Sequence, residues 1–342
     1  MLPCSDDWLR GLVLSSPHGL AAAAAGTLLG GFLLGAAVVA LYTFAALPAA
    51  EGRRTRTALH FPRRFFHAFN GVVAIYKFLL VTNPTPKLSA SHNVVEWDLG
   101  DSGNFHLGIG LVFGFCVVCE ALKLSVPAFR DAGMRLTARI VRPHEASRFS
   151  GVAYYVGGCW LTIWACENLR FGPAVAPGVA TPLRLWAMCA ALTALAVGDP
   201  IAAMAGTAFA HSHPNGRGVV GRKLRLGRGV ADRAAGKSPA ASLFAAGVNG
   251  AIALAFAWLF FVCAPSAAGA TASVALPAMA PTVAGALTVG LAGAMAELMV
   301  ASPYPCLPFS KFPLGPDDNA IIGPIAALGA AAALGGAFAF SG

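Results

Sequence analysis

Residues 196–210 read AVGDPIAAMAGTAFA, and residues 221–242 read GRKLRLGRGVADRAAGKSPAAS. The first is an apolar run broken by Gly198-Asp199-Pro200, and the second is a Gly-rich loop crowded with cations. Leu183 to Ala210 is long and apolar enough to cross a bilayer, which needs about 20 such residues. A carboxylate inside such a run is costly unless it faces a partner, a metal or a wet cavity. Beyond it lie Arg217, Arg222, Lys223, Arg225, Arg228, Arg233 and Lys237, against the single acid Asp232.

The rest of the chain has the same character. Of 342 residues, 57% are hydrophobic and 11% charged, against about a quarter charged in soluble domains. Apolar runs recur at Gly19–Pro48, Phe65–Val81, Phe105–Leu122, Val152–Cys166, Ala241–Cys263, Thr282–Val300 and Ala320–Phe340. Together with Leu183–Ala210 they predict an all-α, polytopic membrane bundle of about eight transmembrane helices. Residues 1–50 form an N-terminal anchor, and 51–342 form the membrane-embedded remainder. No basic region precedes the first apolar run, so it is expected to stay as an anchor rather than be cleaved.

The net charge of +9 resides in short loops between apolar runs, which is topology signalling rather than a nucleic-acid surface. With eight spans, the loops at 51–64, 122–150, 211–240 and 302–318 share one side, and three of them are the basic loops. The positive-inside rule puts that side in the cytosol, with both termini opposite. This agreement requires the Gly198–Pro200 break to kink one span rather than divide it in two, with irregular backbone lining a cavity. The eight Cys are scattered through apolar runs, and the Cys116/Cys119 pair has no partner pair at zinc spacing, so both are expected to pack.

Five constellations could carry chemistry. Asp199 is a candidate ligand for a hard divalent cation, which prefers carboxylate and phosphate oxygens, or else a cap at the Gly-Pro break. The loop from Gly216 to Ser242 contains Gly236-Lys237-Ser238. It is not a Walker A motif, because position 231 is Ala rather than Gly and no strand precedes it. Its Gly-rich backbone and cations can still wrap phosphates, or simply touch anionic lipid. In RRFFHAFNG at 63–71, His67 follows Arg63 on one helical face and could bind phosphate or move a proton, or be structural. Glu145, ahead of Tyr154-Tyr155, and Asp317-Asp318-Asn319, entering the last span, complete the set. The latter acids are either helix caps or metal ligands and bases.

In this order the motifs resemble a known family. R-[RK]-x-x-H-x-x-x-G (Arg63 to Gly71) is followed by E-x-x-x-x-x-G-x-x-Y-Y (Glu145 to Tyr155) and G-D-P-x-A-x-x-x-G (Gly198 to Gly206). Then come K-S-x-x-x-S (Lys237 to Ser242) and the acidic D-D-N. This resembles the CTP-dependent lipid kinases of the endoplasmic reticulum (yeast-type diacylglycerol kinase, dolichol and phytol kinases), which are distantly related to phosphatidate cytidylyltransferase. The resemblance covers roughly residues 60–340. It implies transfer of the γ-phosphoryl group of CTP to a lipid hydroxyl, diacylglycerol first and dolichol or another polyprenol as the alternative acceptor. It also implies Mg2+ or another divalent cation on Asp199 and Asp318, with His67 beside them in the catalytic set. Arg63, Arg64, Arg222, Lys223, Lys237 and Ser238 would contact nucleotide phosphates, and Glu145 and Asn319 would orient the substrate. The chain departs from the family where K-S-x-E-G-S becomes Lys237-Ser238-Pro239-Ala240-Ala241-Ser242, and where D-N-x-x-I-P becomes Asp318-Asn319-Ala320-Ile321-Ile322-Gly323-Pro324. Cytidylyl transfer to phosphatidate is one rival, although it usually has a denser acidic motif. A transporter with Asp199 as a midplane ion site is another, but it predicts inverted repeats that the chain lacks.

Overall fold

The computed structural model describes residues 18–46, 60–88, 95–137, 146, 149–171, 177–212, 238–263, 284–296, 318–334 and 336–338. Its helices are α1 (Gly19–Ala46), α2 (Phe61–Thr82), α3 (Gly103–Ser125), α4 (Pro127–Leu136) and α5 (Gly151–Glu167). They continue with α6 (Pro177–Thr193), α7 (Asp199–Ser212), α8 (Pro239–Trp258), α9 (Ala284–Ala296) and α10 (Asp318–Ala333). Wider π-helical turns join α6 to α7 at Ala194–Gly198 and extend α8 at Leu259–Cys263. The protein is an all-α polytopic membrane bundle, as its composition requires.

Five segments are long and apolar enough to cross a bilayer: Gly19–Ala45, Phe61–Thr82, Gly103–Ser125, Val179–Phe209 and Pro239–Cys263. The other three expected spans are helical but shorter, at α5, α9 and α10. The last was expected to run to Phe340. It ends at Ala333 instead, and Gly336–Phe338 forms strand β4, because Gly335-Gly336 is a poor place to continue a helix. The second span was expected from Phe65 but begins at Phe61, with Pro62 in its first turn, where a missing N–H costs nothing. Arg63 and Arg64 are therefore on the helix, not in the preceding loop.

Val179–Phe209 is the axis of the bundle and is almost wholly enclosed by protein. The side chains of Trp186, Met188, Leu192 and Leu195 are fully buried, and the Trp186 indole N–H donates to the Ala253 carbonyl, 2.8 Å away. Around this axis α10 packs on α5 and α6, α8 on α6 and α7, and α1 on α2 and α7. By contrast, α3 stands outermost and turns Leu107, Leu111, Phe115 and Val118 outward, the disposition of a lipid-facing helix. Its main neighbour is α5.

Lipid tails supply no hydrophobic drive between helices, so association relies on close backbone packing at small residues. Gly158 on α5 is the tightest case. A Cβ there would collide with the carbonyl of Asn319 at the start of α10, and backbone cannot swing aside. Gly158→Ala is expected to lower stability by about 1–3 kcal/mol, the usual cost of overpacking, read as a lower unfolding midpoint in detergent.

Two antiparallel ribbons lie at one end of the bundle. β1 (Thr85–Leu88) pairs with β2 (Val95–Asp98), with Lys87 opposite Glu96 and a Lys87–Asp98 ion pair at 2.9 Å. β3 (Leu169–Phe171) pairs with β4. Neither ribbon is expected from the sequence, β1, β2 and β3 lying in connections and β4 in the apolar run expected to end the last span.

Candidate functional site

The site begins with a defect built into the axis. Pro200 has no N–H, and its ring would clash with the carbonyl four residues back. The helix avoids this by widening to a π turn over Ala194–Gly198, in which the Asp199 N–H bonds to the Ala194 carbonyl. The Leu195 carbonyl then faces position 200, a proline with no N–H to give. That orphan carbonyl is filled from another helix: His67 Nε2 lies 3.1 Å from it. A carbonyl only accepts, so His67 donates from Nε2–H, which fixes where the ring carries that proton.

This bond brings His67 beside Asp199, whose carboxylate Oδ2 lies 3.9 Å from His67 Nε2 and 4.0 Å from Arg64 NH1. All three side chains are largely buried, at 12–15% exposure. Both contacts are too long for hydrogen bonds, and the Asp199 carboxylate makes none to any described residue. A mostly buried carboxylate with Arg64 and the His67 ring at about 4 Å, and no hydrogen bond to a described residue, is poised to accept a further donor or cation. Its position in the first turn of α7 also places it at the positive end of that helix.

Other helices close around the π turn. The Tyr155 ring of α5 meets His67 edge-on, with centroids 4.1 Å apart. Gly71 of α2 leaves the room for this, since a Cβ there would strike Ala196 and come within 2.8 Å of the Tyr155 hydroxyl. That buried hydroxyl, near Cys159, has no hydrogen-bond partner among the described residues. On the other flank the amide of Asn249 in α8 packs against Gly198, where any Cβ would collide with it. Its carbonyl oxygen is buried without a partner among the described residues. Two unsatisfied polar atoms beside Asp199 mark a site built for something more than helix packing.

Of the residues singled out by sequence, the fold brings Asp199, His67 and Arg64 together. Arg63 is half-buried in the same first turn of α2. Ser238 caps α8, accepting from the Ala241 N–H at 3.4 Å, and packs near Gly206, two turns beyond Asp199. Asn319 is buried at the start of α10 against Gly158, one turn from Tyr155. Asp318 opens α10, but its side chain lies outside the described residues, as do Glu145, Arg222, Lys223 and Lys237. Among the described residues, no three of His, Cys, Asp and Glu stand together as a metal cluster.

Asn249 and Glu120 were not singled out. The first carried a signal, being a polar residue in an otherwise apolar span. Glu120, near the end of α3, accepts from the Ser150 hydroxyl at 2.6 Å, from the Ser150 N–H at 2.8 Å and from Lys123. It thereby holds the start of α5, where Tyr155 sits. No protein-family model matches the chain, and neither a curated protein nor a solved structure is similar to it.

Proposed function

We propose that this membrane protein transfers the γ-phosphoryl group of CTP to the hydroxyl of a membrane lipid, diacylglycerol in the first place, at the endoplasmic reticulum with its basic loops cytosolic. The observation that carries the reading is the largely buried Asp199 carboxylate held between Arg64 and His67 without a hydrogen bond to any described residue. Phosphoryl transfer asks a protein chiefly for positioning and for charge stabilisation, and this cluster offers one carboxylate with a guanidinium and an imidazole beside it. The starts of α2, α5, α8 and α10 gather around the same half of the axis. Basic stretches of sequence precede α2, α5 and α8, and the acidic Asp317-Asp318 pair enters α10, so nucleotide phosphates, a metal and a lipid hydroxyl would meet there.

The lipid oxygen would form a bond to the γ-phosphorus while the bond to the β–γ bridging oxygen breaks, releasing CDP. The proton leaving the hydroxyl would pass to a carboxylate, Asp199 or Asp318. His67 Nε2 already donates to Leu195, so at that nitrogen it positions rather than abstracts. Arg64 would draw the phosphates toward Asp199, and Arg63, Arg222, Lys223, Lys237 and Ser238 would extend that contact. Glu145 and Asn319 would orient the lipid. Asp199 presents hard oxygen donors without a hydrogen bond to any described residue, which fits Mg2+. Asp199 and Asp318 would hold the ion, which when bound neutralises charge on the transferring group.

Membranes carrying the chain, incubated with γ-labelled CTP, Mg2+ and a panel of lipid alcohols, provide the test. Label is expected in phosphatidate, and label in a polyprenyl phosphate instead would change the acceptor. Release of label as pyrophosphate on adding phosphatidate would make the protein a cytidylyltransferase and overturn the kinase reading.

A further inference from the structure

A second charged site lies at the other end of the bundle. Along α2, Thr82 is fifteen residues beyond His67, about 22 Å at 1.5 Å per residue. There Thr82, Gly100, Cys166, Glu167, Arg184 and Met188 line a cavity of about 120 Å³, large enough for a group approaching the size of benzene. Its two charged walls carry opposite signs, yet no ion pair joins Glu167 to Arg184. Opposite charges sharing one cavity would close on each other unless each were held elsewhere.

Each is held. The His106 Nδ1 accepts from the Trp160 indole N–H at 3.0 Å. The ring proton of a neutral His106 must then be on Nε2, where it donates to Glu167 Oε2. This leaves Glu167 Oε1 without a hydrogen bond to any described residue. Arg184 donates its Nε–H to the Leu169 carbonyl at 2.7 Å, the residue where β3 begins. That bond turns the guanidinium while leaving its terminal N–H groups without an acid among the described residues. Arg170, next along β3, adds a second positive charge nearby. Ionisable side chains fixed by outer partners and kept apart across a cavity at a membrane protein's edge are arranged for a ligand rather than for each other.

We propose that this cavity binds an aminoalkyl phosphate, with phosphate oxygens on the Arg184 guanidinium and the ammonium on the Glu167 carboxylate. Guanidinium forks suit phosphate oxygens, and the carboxylate selects the amine. Two sources share this chemistry, the ethanolamine headgroup of a phospholipid and a soluble phosphoethanolamine. The site is independent of the phosphoryl-transfer reading.

The test uses the full chain in detergent, with bound lipid followed by native mass spectrometry. The wild-type protein is expected to retain phosphatidylethanolamine about tenfold better than phosphatidylglycerol of the same acyl chains. Arg184→Gln should lower retention of both, and Glu167→Gln should abolish the preference between them. Isothermal titration of the delipidated protein with soluble phosphoethanolamine forms the second arm. Binding of either source that is lost in Arg184→Gln supports the site and names its occupant. Equal retention of the two lipids by the wild type, with no binding of the soluble ester, overturns it, and that result needs no variant to fold.

Discussion

On the proposed phosphoryl transfer, Asp199→Asn is expected to lower the rate by on the order of 10²–10³-fold, the loss seen when one preorganised electrostatic group is removed from a reacting centre. The substitution is isosteric and leaves the backbone untouched. Pro200 still forces the π turn, the Leu195 carbonyl is still orphaned, and His67 still fills it. What changes is the charge facing Arg64 and His67 at about 4 Å. Arg64 loses the carboxylate charge that it faces at 4.0 Å, so a modest loss of stability is expected to accompany the loss of rate. Initial rates with labelled CTP, beside size-exclusion profiles of both proteins, check the result. A variant with normal folding and more than a tenth of the wild-type rate would remove Asp199 from the reaction.

The second large effect lies far from the axis in sequence. Glu120→Ala is expected to cost about 3–5 kcal/mol, the penalty for breaking a buried ion pair by deleting one partner. Glu120 and Lys123 are both 9% exposed, and the carboxylate accepts three hydrogen bonds, two of them from Ser150. Ser150 precedes α5 and does not cap that helix with its own side chain. Glu120 therefore anchors both the outermost helix and the start of α5. Removing it strands the Lys123 ammonium and loosens the turn that leads to Tyr155, so the proposed activity is expected to fall together with stability. The double variant Glu120→Leu/Lys123→Met should recover most of the ion-pair penalty, since an apolar replacement of both charges strands neither. Denaturant midpoints of the two variants in detergent decide this. Equal destabilisation in both would mean that the Ser150 contacts, not the ion pair, carry the energy.

The sequence by itself determined the class of the molecule and singled out three residues, Asp199, His67 and Arg64, that the fold brings together. Apolar runs and basic loops are properties of each stretch alone, so the helical segments were legible without a fold. Asp199, His67 and Arg64 could be selected because a charge in or beside an apolar run is conspicuous wherever the run packs. Pro200 even foretold a disturbed helix. The form of that disturbance was not legible: a π turn rather than a break, leaving one carbonyl without a donor. Which group would satisfy it depended on a helix 128 residues away in sequence. That approach is possible only because Gly71 lets α2 close on the axis. Tyr155, Asn249 and Glu120 joined the picture for the same reason, their roles being set by contacts across helices. Hydropathy and charge are local quantities, whereas the partner of a buried polar atom is fixed by packing, and packing belongs to the tertiary structure.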